Sequence, residues 1–422
     1  METFNIKGLK ITLNKQGSPY YLKASYPICF GKFTEIETEN YIFRFNLNNR
    51  IKSIQGKKEA VGEQFKLNCA ADWIYYCAAG YKGVYSFLGE YYLPCLGYAK
   101  NPLFDIYRYD TKLFKKFFRA FLKLVERLEY IVAQVNTLNG INQILKAIIT
   151  VNNSIAIKKK TEEFYNITSG GVTVLPPDCR HVDYDVIPLN ISYGCLYNCG
   201  FCSVKKGIQF KNRSITNILY DIKRLKSFYA EDIANYNSLF LGEHDALNAK
   251  SKIIIETAKA AYNQFGFQHS HIKNPMLFLF GSADSLINAK NELFNALNSL
   301  PFYTYINIGM ESADNKTFKL LQKPLVYRKI KAAFEKMLFI NAKYTNIEIT
   351  ANFVMGDTLS DEHYQSIIDL SKTTGKFFHG KGAFYISPLE KSGTPSSYVQ
   401  KKFLWLKNSC AMPTYIYLIQ PL

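Results

Sequence analysis

Apolar and polar residues alternate with a period of two in Tyr41-Ile-Phe-Arg-Phe-Asn-Leu47, the rhythm of a half-buried β-strand. Short runs of this kind extend over residues 1 to about 100. From 111 to 150 the period lengthens: Leu113, Phe114, Phe117, Phe118, Phe121, Leu122, Leu124, Val125 and Leu128 recur every three or four positions. Lys115, Lys116, Arg119 and Lys123 fall between them, so the segment predicts a helix with one packing face. The polar, Lys-rich stretch Asn152–Gly171 predicts a linker.

From Val186 onward the rhythm changes again. Apolar runs at 186–191, 238–241, 276–280, 303–308, 347–354 and 383–386 alternate with segments of helical period at 215–225, 253–262, 286–300, 327–340 and 364–370. Six strand-then-helix units, the sixth with its helix left open, predict an α/β fold, a parallel sheet curled into a partial (β/α)6 TIM-type barrel. An N-terminal α+β accessory domain precedes it. The expected division is an accessory domain over 1–150, a linker over 151–175, the barrel over 176–395 and a C-terminal extension over 396–422. Chemistry in such barrels sits on loops at the C-terminal ends of strands. Cys195, Gly242, Glu243, Ser282, Glu311, Gly356 and Pro388 all fall there.

Composition narrows the setting. The start, METFNIKGLKITLNKQ, has no continuous apolar core of a secretory signal, and no window holds the ~18 apolar residues a membrane span needs. A cytoplasmic protein is expected, with no membrane partner. Lys and Arg total 52 against 34 Asp and Glu, a net charge of +18. That balance favours anionic partners such as nucleic acid or phosphorylated metabolites, although the basic residues are scattered. The densest groups are Lys158–Lys160 and Lys205–Lys206 with Lys211 and Arg213.

Nine cysteines, an odd number, include three in eight positions: Cys195-Leu-Tyr-Asn-Cys199-Gly-Phe-Cys202. The bunching suits metal ligation better than a disulfide framework. Two readings of this C-x3-C-x2-C run stand. A structural zinc would need a fourth ligand, for which Cys179, His181 and His244 are candidates, giving a zinc-stabilised, non-catalytic nucleic-acid or protein binding module. A [4Fe-4S] cluster suits three thiolates with one iron left open to chelate a small molecule.

The spacing, with aromatic Phe201 before the last cysteine and Cys195 just past the first barrel strand, resembles the radical SAM superfamily signature. Phe240-Leu-Gly-Glu-His-Asp-Ala-Leu247 looks like that family's Gly-Gly-Glu region, with Leu241 in place of the first glycine. Ile308–Pro324 resembles a segment of the coproporphyrinogen-oxidase-like and Elongator-like branches, and Asn352–Asp357 resembles the adenine-side region. The resemblance covers about residues 176–395. It implies a [4Fe-4S] cluster on Cys195, Cys199 and Cys202, and S-adenosylmethionine contacted by Phe201, Gly242, Glu243, Glu311 and Gly356. Glu243, or its competitor Asp245, would face the methionine amino group, and Glu311 the ribose side. The family's reaction is reductive cleavage to a 5′-deoxyadenosyl radical that takes hydrogen from a substrate. A low-potential electron donor of flavodoxin or ferredoxin type is implied. The substrate stays open between RNA and a small metabolite, and the accessory domain between a docking surface and a lid.

Other residues carry weaker expectations. Cys69, Cys77 and Cys95 match no ligand spacing and read as buried thiols, with an auxiliary cluster as the rival. His269 and His271 form an exposed H-x-H pair. Lys323 and Arg328 read as solvated helix charges rather than carboxylate ligands.

Overall fold

The computed structural model describes residues 1–21, 30–56, 90–91, 111–134, 139–168, 175–182, 185–202, 207–373, 380–389 and 397–417. Cys69, Cys77 and Cys95 lie outside these residues, as do Lys205 and Lys206.

The accessory domain is an antiparallel sheet in sequence order: β1 (Glu2–Ile6), β2 (Leu9–Gln16), β3 (Lys32–Glu37), β4 (Tyr41–Phe45), β5 (Ile51–Gly56) and β6 (Glu90–Tyr91). Helices α1 (Thr111–Gln134) and α2 (Asn139–Val151) cover one face. Phe121, Leu124, Leu128 and Ile131 come from the expected helical stripe and its continuation, and they bury against Phe43, Phe45 and Ile54. Strand period and helix period thus meet in one core.

The expected linker is instead helix α3 (Ser154–Ile167). Asn153 caps it by accepting from the Ala156 amide at 2.8 Å. Phe164 stacks on Phe228 at 4.9 Å between ring centroids, and Lys160 lies over the same Phe228 ring. Lysines suggested solvent, but Phe164 and Ile167 bury in the main core and anchor the helix.

The second sheet is parallel. Its strands are β7 (Ile187–Asn190), β8 (Ser238–Gly242), β9 (Met276–Ser282), β10 (Tyr303–Glu311), β11 (Ile347–Met355), β12 (Phe384–Pro388) and β13 (Thr414–Ile416), in that spatial order. The six expected strands all form. The seventh, β13, comes from the C-terminal extension and pairs with β12. Helices α4 (Ile215–Tyr229), α5 (Ser251–Phe265), α6 (Ala283–Asn288), α7 (Asn291–Asn298), α8 (Asn315–Leu320), α9 (Tyr327–Lys343), α10 (Asp361–Lys372) and α11 (Ser397–Ser409) fill the crossovers and the end of the chain. Strand residues such as Leu239, Leu277, Ile306 and Ile349 face the helices in the main core. Their neighbours Phe240, Phe278 and Tyr305 line the lumen with Leu175, Cys179 and Val182 from the segment ahead of β7. Cys179 is therefore a core thiol, pushed well up by burial.

The two domains dock through polar groups. Asp232 accepts from the Asn46 side chain at 3.0 Å and from the Leu47 amide at 3.2 Å, and Asn48 donates to the Tyr229 carbonyl. Lys52 pairs with Asp185 at 2.8 Å. Asn235 both accepts from and donates to the Lys32 backbone, so close to Gly31 that a Cβ there would stand 2.1 Å from its Oδ1. Asp185, Asp232 and Asn235 all precede barrel strands. The described part of the accessory domain thus sits at the N-terminal end of the sheet, opposite the end where catalytic loops emerge. As a lid over the chemistry it is on the wrong side.

Candidate active site

The cysteine loop leaves β7 through a short ladder, Ser192–Tyr193 against Lys211–Asn212, with Cys195 bridged to Gln209. Gly194 makes the turn possible. Its φ is +70°, and a Cβ there would lie 2.3 Å from the Ile208 carbonyl oxygen. Farther along, the Gly200 amide donates to the Leu321 carbonyl at 3.1 Å, pinning the loop to the segment after β10. Phe201 packs half-buried against the barrel core.

Burial pushes the Cys195 thiol up to about 12, helped by the Asp245 carboxylate, while the Tyr197 amide and Lys323 oppose it. Burial likewise raises Cys199 to about 11, with Lys323 opposing and Glu311 and Cys202 adding to the rise. Thiolates in this setting need a cationic centre to hold them. Among the described residues no group of three or more His, Cys, Asp or Glu could hold a single metal ion. A lone tetrahedral ion would draw its sulfurs to within about 3.8 Å of one another, from metal–sulfur bonds of about 2.3 Å. A cubane binds each thiolate through a different iron and needs them spread. Three thiols carried on one short loop are the donor type that iron–sulfur clusters take.

Glu243 is buried at the end of β8, and its Oε2 accepts from the Gly194 amide at 3.3 Å. The expected amino-group ligand and the cysteine loop are therefore in direct contact. The Gly242–Glu243 peptide is cis. Gly242 leaves no room for a side chain, since a Cβ would meet Asn190 Oδ1 at 2.3 Å. Asp245 braces the next loop, its Oδ1 accepting from the Ser282 amide at 2.8 Å, while its Oδ2 is buried with no partner among the described residues. Ser282 caps α6.

Glu311 ends β10 with φ +66° beside a bulge, and its Oε1 lies 3.1 Å from Lys323 Nζ. Lys323 also donates to the Gly309 carbonyl at 2.8 Å and sits 5.5 Å from the centre of the Tyr197 ring. It is 6 % exposed and lies past the end of α8, so the reading of Lys323 as a solvated helix charge is corrected. Gly356 stands apart. Both its amide and its carbonyl bond the Tyr364 hydroxyl, and its place after β11 is its link to the rim.

Several site residues were not foreseen. Tyr197, inside the cysteine loop, donates to Asp284 at 2.6 Å, and Asp284 pairs with Lys329 at 2.9 Å. Ser312 Oγ and His363 Nδ1 are 2.8 Å apart, and His363 Nε2 lies 2.9 Å from the Val354 carbonyl. That carbonyl can only accept, which assigns the proton to Nε2 and makes Ser312 the donor to Nδ1. Burial lowers the His363 pKa and keeps it in this neutral role, tying the loop after β10 to β11. Among these, only Gly194 had a local signal, a glycine directly before the first cysteine. His269 and His271 lie ahead of β9 at the opposite end of the barrel, where His271 N bonds the Ala234 carbonyl.

A loop of three cysteines lies on the C-terminal rim of a partial barrel, braced by a buried carboxylate from the next strand. Residues 189–371 match the family model of the radical SAM superfamily, whose members use a [4Fe-4S] cluster and S-adenosylmethionine. No curated protein matches the chain. Among solved structures it is similar to a radical SAM methyltransferase from Sphaerobacter thermophilus (12 % identity, TM-score 0.37), over 55 % of this chain and 66 % of that one. It is also similar to methylornithine synthase (10 % identity, TM-score 0.35), over 69 % and 78 % of the two chains. A third likeness is to the cobalamin-dependent radical enzyme OxsB (16 % identity, TM-score 0.34), over 45 % of this chain and 27 % of that one. The chain thus spans just under two thirds of the methyltransferase and about a quarter of OxsB.

Proposed function

We propose that this chain is a radical SAM enzyme that holds a [4Fe-4S] cluster on Cys195, Cys199 and Cys202. When bound, the cluster and S-adenosylmethionine supply reductive cleavage to a 5′-deoxyadenosyl radical, which abstracts hydrogen from a substrate not yet identified. The observation that carries this reading is the contact between Glu243 and the Gly194 amide, which places a buried carboxylate against the cysteine loop.

The chain's own residues bind, orient and exclude water. Glu243 would receive the methionine ammonium in a charge-assisted hydrogen bond. Glu311, oriented by Lys323, would face the ribose side, and Gly242, Phe201 and Gly356 would shape the walls. Cys199 is buried and Cys195 and Cys202 are half-buried, so the loop limits water at the site, which strengthens each of these contacts. Below the rim, the lumen carries Asn307 donating to Thr350, which donates to Asp178, which also accepts from Tyr385. The amide oxygens of Asn190, Asn307 and Asn352 are buried without partners among the described residues, acceptors that suit a substrate bearing hydrogen-bond donors.

Residues 176–395 form the reacting unit in this reading, with 1–150 accessory and 396–422 an extension closing the sheet edge. Among the described residues no helix is long and apolar enough to cross a membrane. A cytoplasmic setting with a flavodoxin or ferredoxin donor follows from cysteine usage and the need for an electron. The test is anaerobic reconstitution with iron and sulfide, then dithionite and S-adenosylmethionine. We expect about four irons per chain and release of 5′-deoxyadenosine, both lost in Cys199→Ala. One zinc per chain and no 5′-deoxyadenosine would sink the proposal.

A further inference from the structure

A cavity of about 690 Å³ opens in the accessory domain between the turn after β3 and helix α1. Its wall includes Arg119, Lys123 and Arg127, with Tyr41 and Phe43 opposite and Glu39 as the carboxylate in the lining. Cations four residues apart on a helix share a face and advance by about 6 Å each. All three are exposed, and among the described residues none makes an ion pair. Arg127 donates to the Lys7 carbonyl, which fixes its guanidinium while leaving its charge uncompensated. Along the same strip Lys7 Nζ sits 4.5 Å from the centre of the Tyr130 ring, which is 55 % exposed. Against Glu39 and the neighbouring Glu126, the cations Lys7, Arg119, Lys123 and Arg127 leave a positive balance.

We propose that this cleft binds a single-stranded nucleic acid through its phosphates, with the Tyr130 ring as a stacking platform. Evenly spaced cations beside an exposed aromatic ring are the chemistry of a sequence-tolerant strand groove, and the size suits a bound ligand. A cationic ligand meets like charge there. The Thr38–Tyr41 turn lies at the end of the sheet away from the Asn46–Asn48 turn that docks on the barrel. A strand held in the cleft is therefore anchored far from the cysteine loop, and the contact positions rather than reacts. Binding needs no cluster, so its outcome is separate from that of the radical reading.

The test is fluorescence anisotropy of the full chain with labelled 12-nucleotide oligo(U) and oligo(dT) across a salt series. Arg119→Ala/Lys123→Ala should weaken binding and lower the slope of log K against log salt by about 1.4, at roughly 0.7 for each phosphate no longer neutralised. Tyr130→Ala should weaken binding about tenfold at every salt concentration. Lys252→Ala/Lys259→Ala, on barrel helix α5, should leave both quantities unchanged. Preference for oligo(U) would identify RNA, and equal binding a strand of either sugar; both support the proposal. An unchanged slope in the Arg119/Lys123 variant overturns it. So does binding of pyrophosphate or phosphatidylserine vesicles with neither oligonucleotide bound.

Discussion

Lys323 Nζ lies 3.1 Å from Glu311 Oε1, in a pair whose side chains are 4 % and 15 % exposed. The lysine comes from the segment after α8 and the glutamate from the end of β10, so one ion pair closes the loop that flanks the cysteines. Removing one partner of a buried pair strands the other charge. Lys323→Met should therefore cost about 3–5 kcal/mol in urea unfolding. Lys323→Met/Glu311→Gln should recover most of that stability, and an equally unstable double variant would show that the pair is not the cause.

Gly194 offers a sharper steric test. Alanine there would put a Cβ 2.3 Å from the Ile208 oxygen and 2.7 Å from the Gln209 oxygen, both backbone atoms that cannot swing aside. Gly194→Ala should leave the helical circular dichroism in place and reduce iron and sulfide retained after reconstitution to a small fraction of wild type. Wild-type iron content in this variant would mean that the loop does not need its left-handed turn.

Glu243→Gln keeps shape and removes charge. The cluster should still assemble, because the amide oxygen can accept from Gly194, while S-adenosylmethionine affinity should fall by about 1.5–3 kcal/mol, the range for a hydrogen bond to a charged group. Equilibrium dialysis against labelled cofactor measures this. Unaltered affinity would transfer the amino-group role to Asp245.

The domain junction should respond to pH. Burial pushes the Asp232 carboxyl up to about 6, against an ordinary 3.8, although Lys52, Asn235 and the Leu47 amide pull it down. An acid whose folded pKa is raised binds its proton more tightly in the folded state. Stability should thus rise as pH falls from above 6 towards 4, by about 3 kcal/mol for a shift of roughly two units. Asp185, also raised by burial, acts in the same direction. Asp232→Asn should flatten the dependence of Tm on pH over that window, and a slope matching wild type would place the linkage elsewhere.

The local code of this chain was readable where one period dominated. Parallel strands buried on both faces read as largely apolar runs, and all six expected from 186 to 386 form. The cysteine loop was legible because three thiols carried by one turn are near neighbours in sequence. Helix α3 was not legible, since Lys158, Lys159 and Lys160 masked the two hydrophobic anchors Phe164 and Ile167. Strand β13 was missed because three residues at a sheet edge carry too little pattern.

Sequence by itself determined the periodicities, the three-thiolate spacing and the glycine ahead of it, because each depends on residues within a few positions of one another. Tertiary structure alone decided that Lys323 is buried against Glu311, that His363 reaches Ser312, and that Asp232 receives the Asn46–Leu47 turn. It also decided which end of the barrel the accessory sheet occupies. Those pairings join residues from 12 to 186 positions apart. Desolvation and ion pairing depend on what the folded chain brings together, and no local pattern records it.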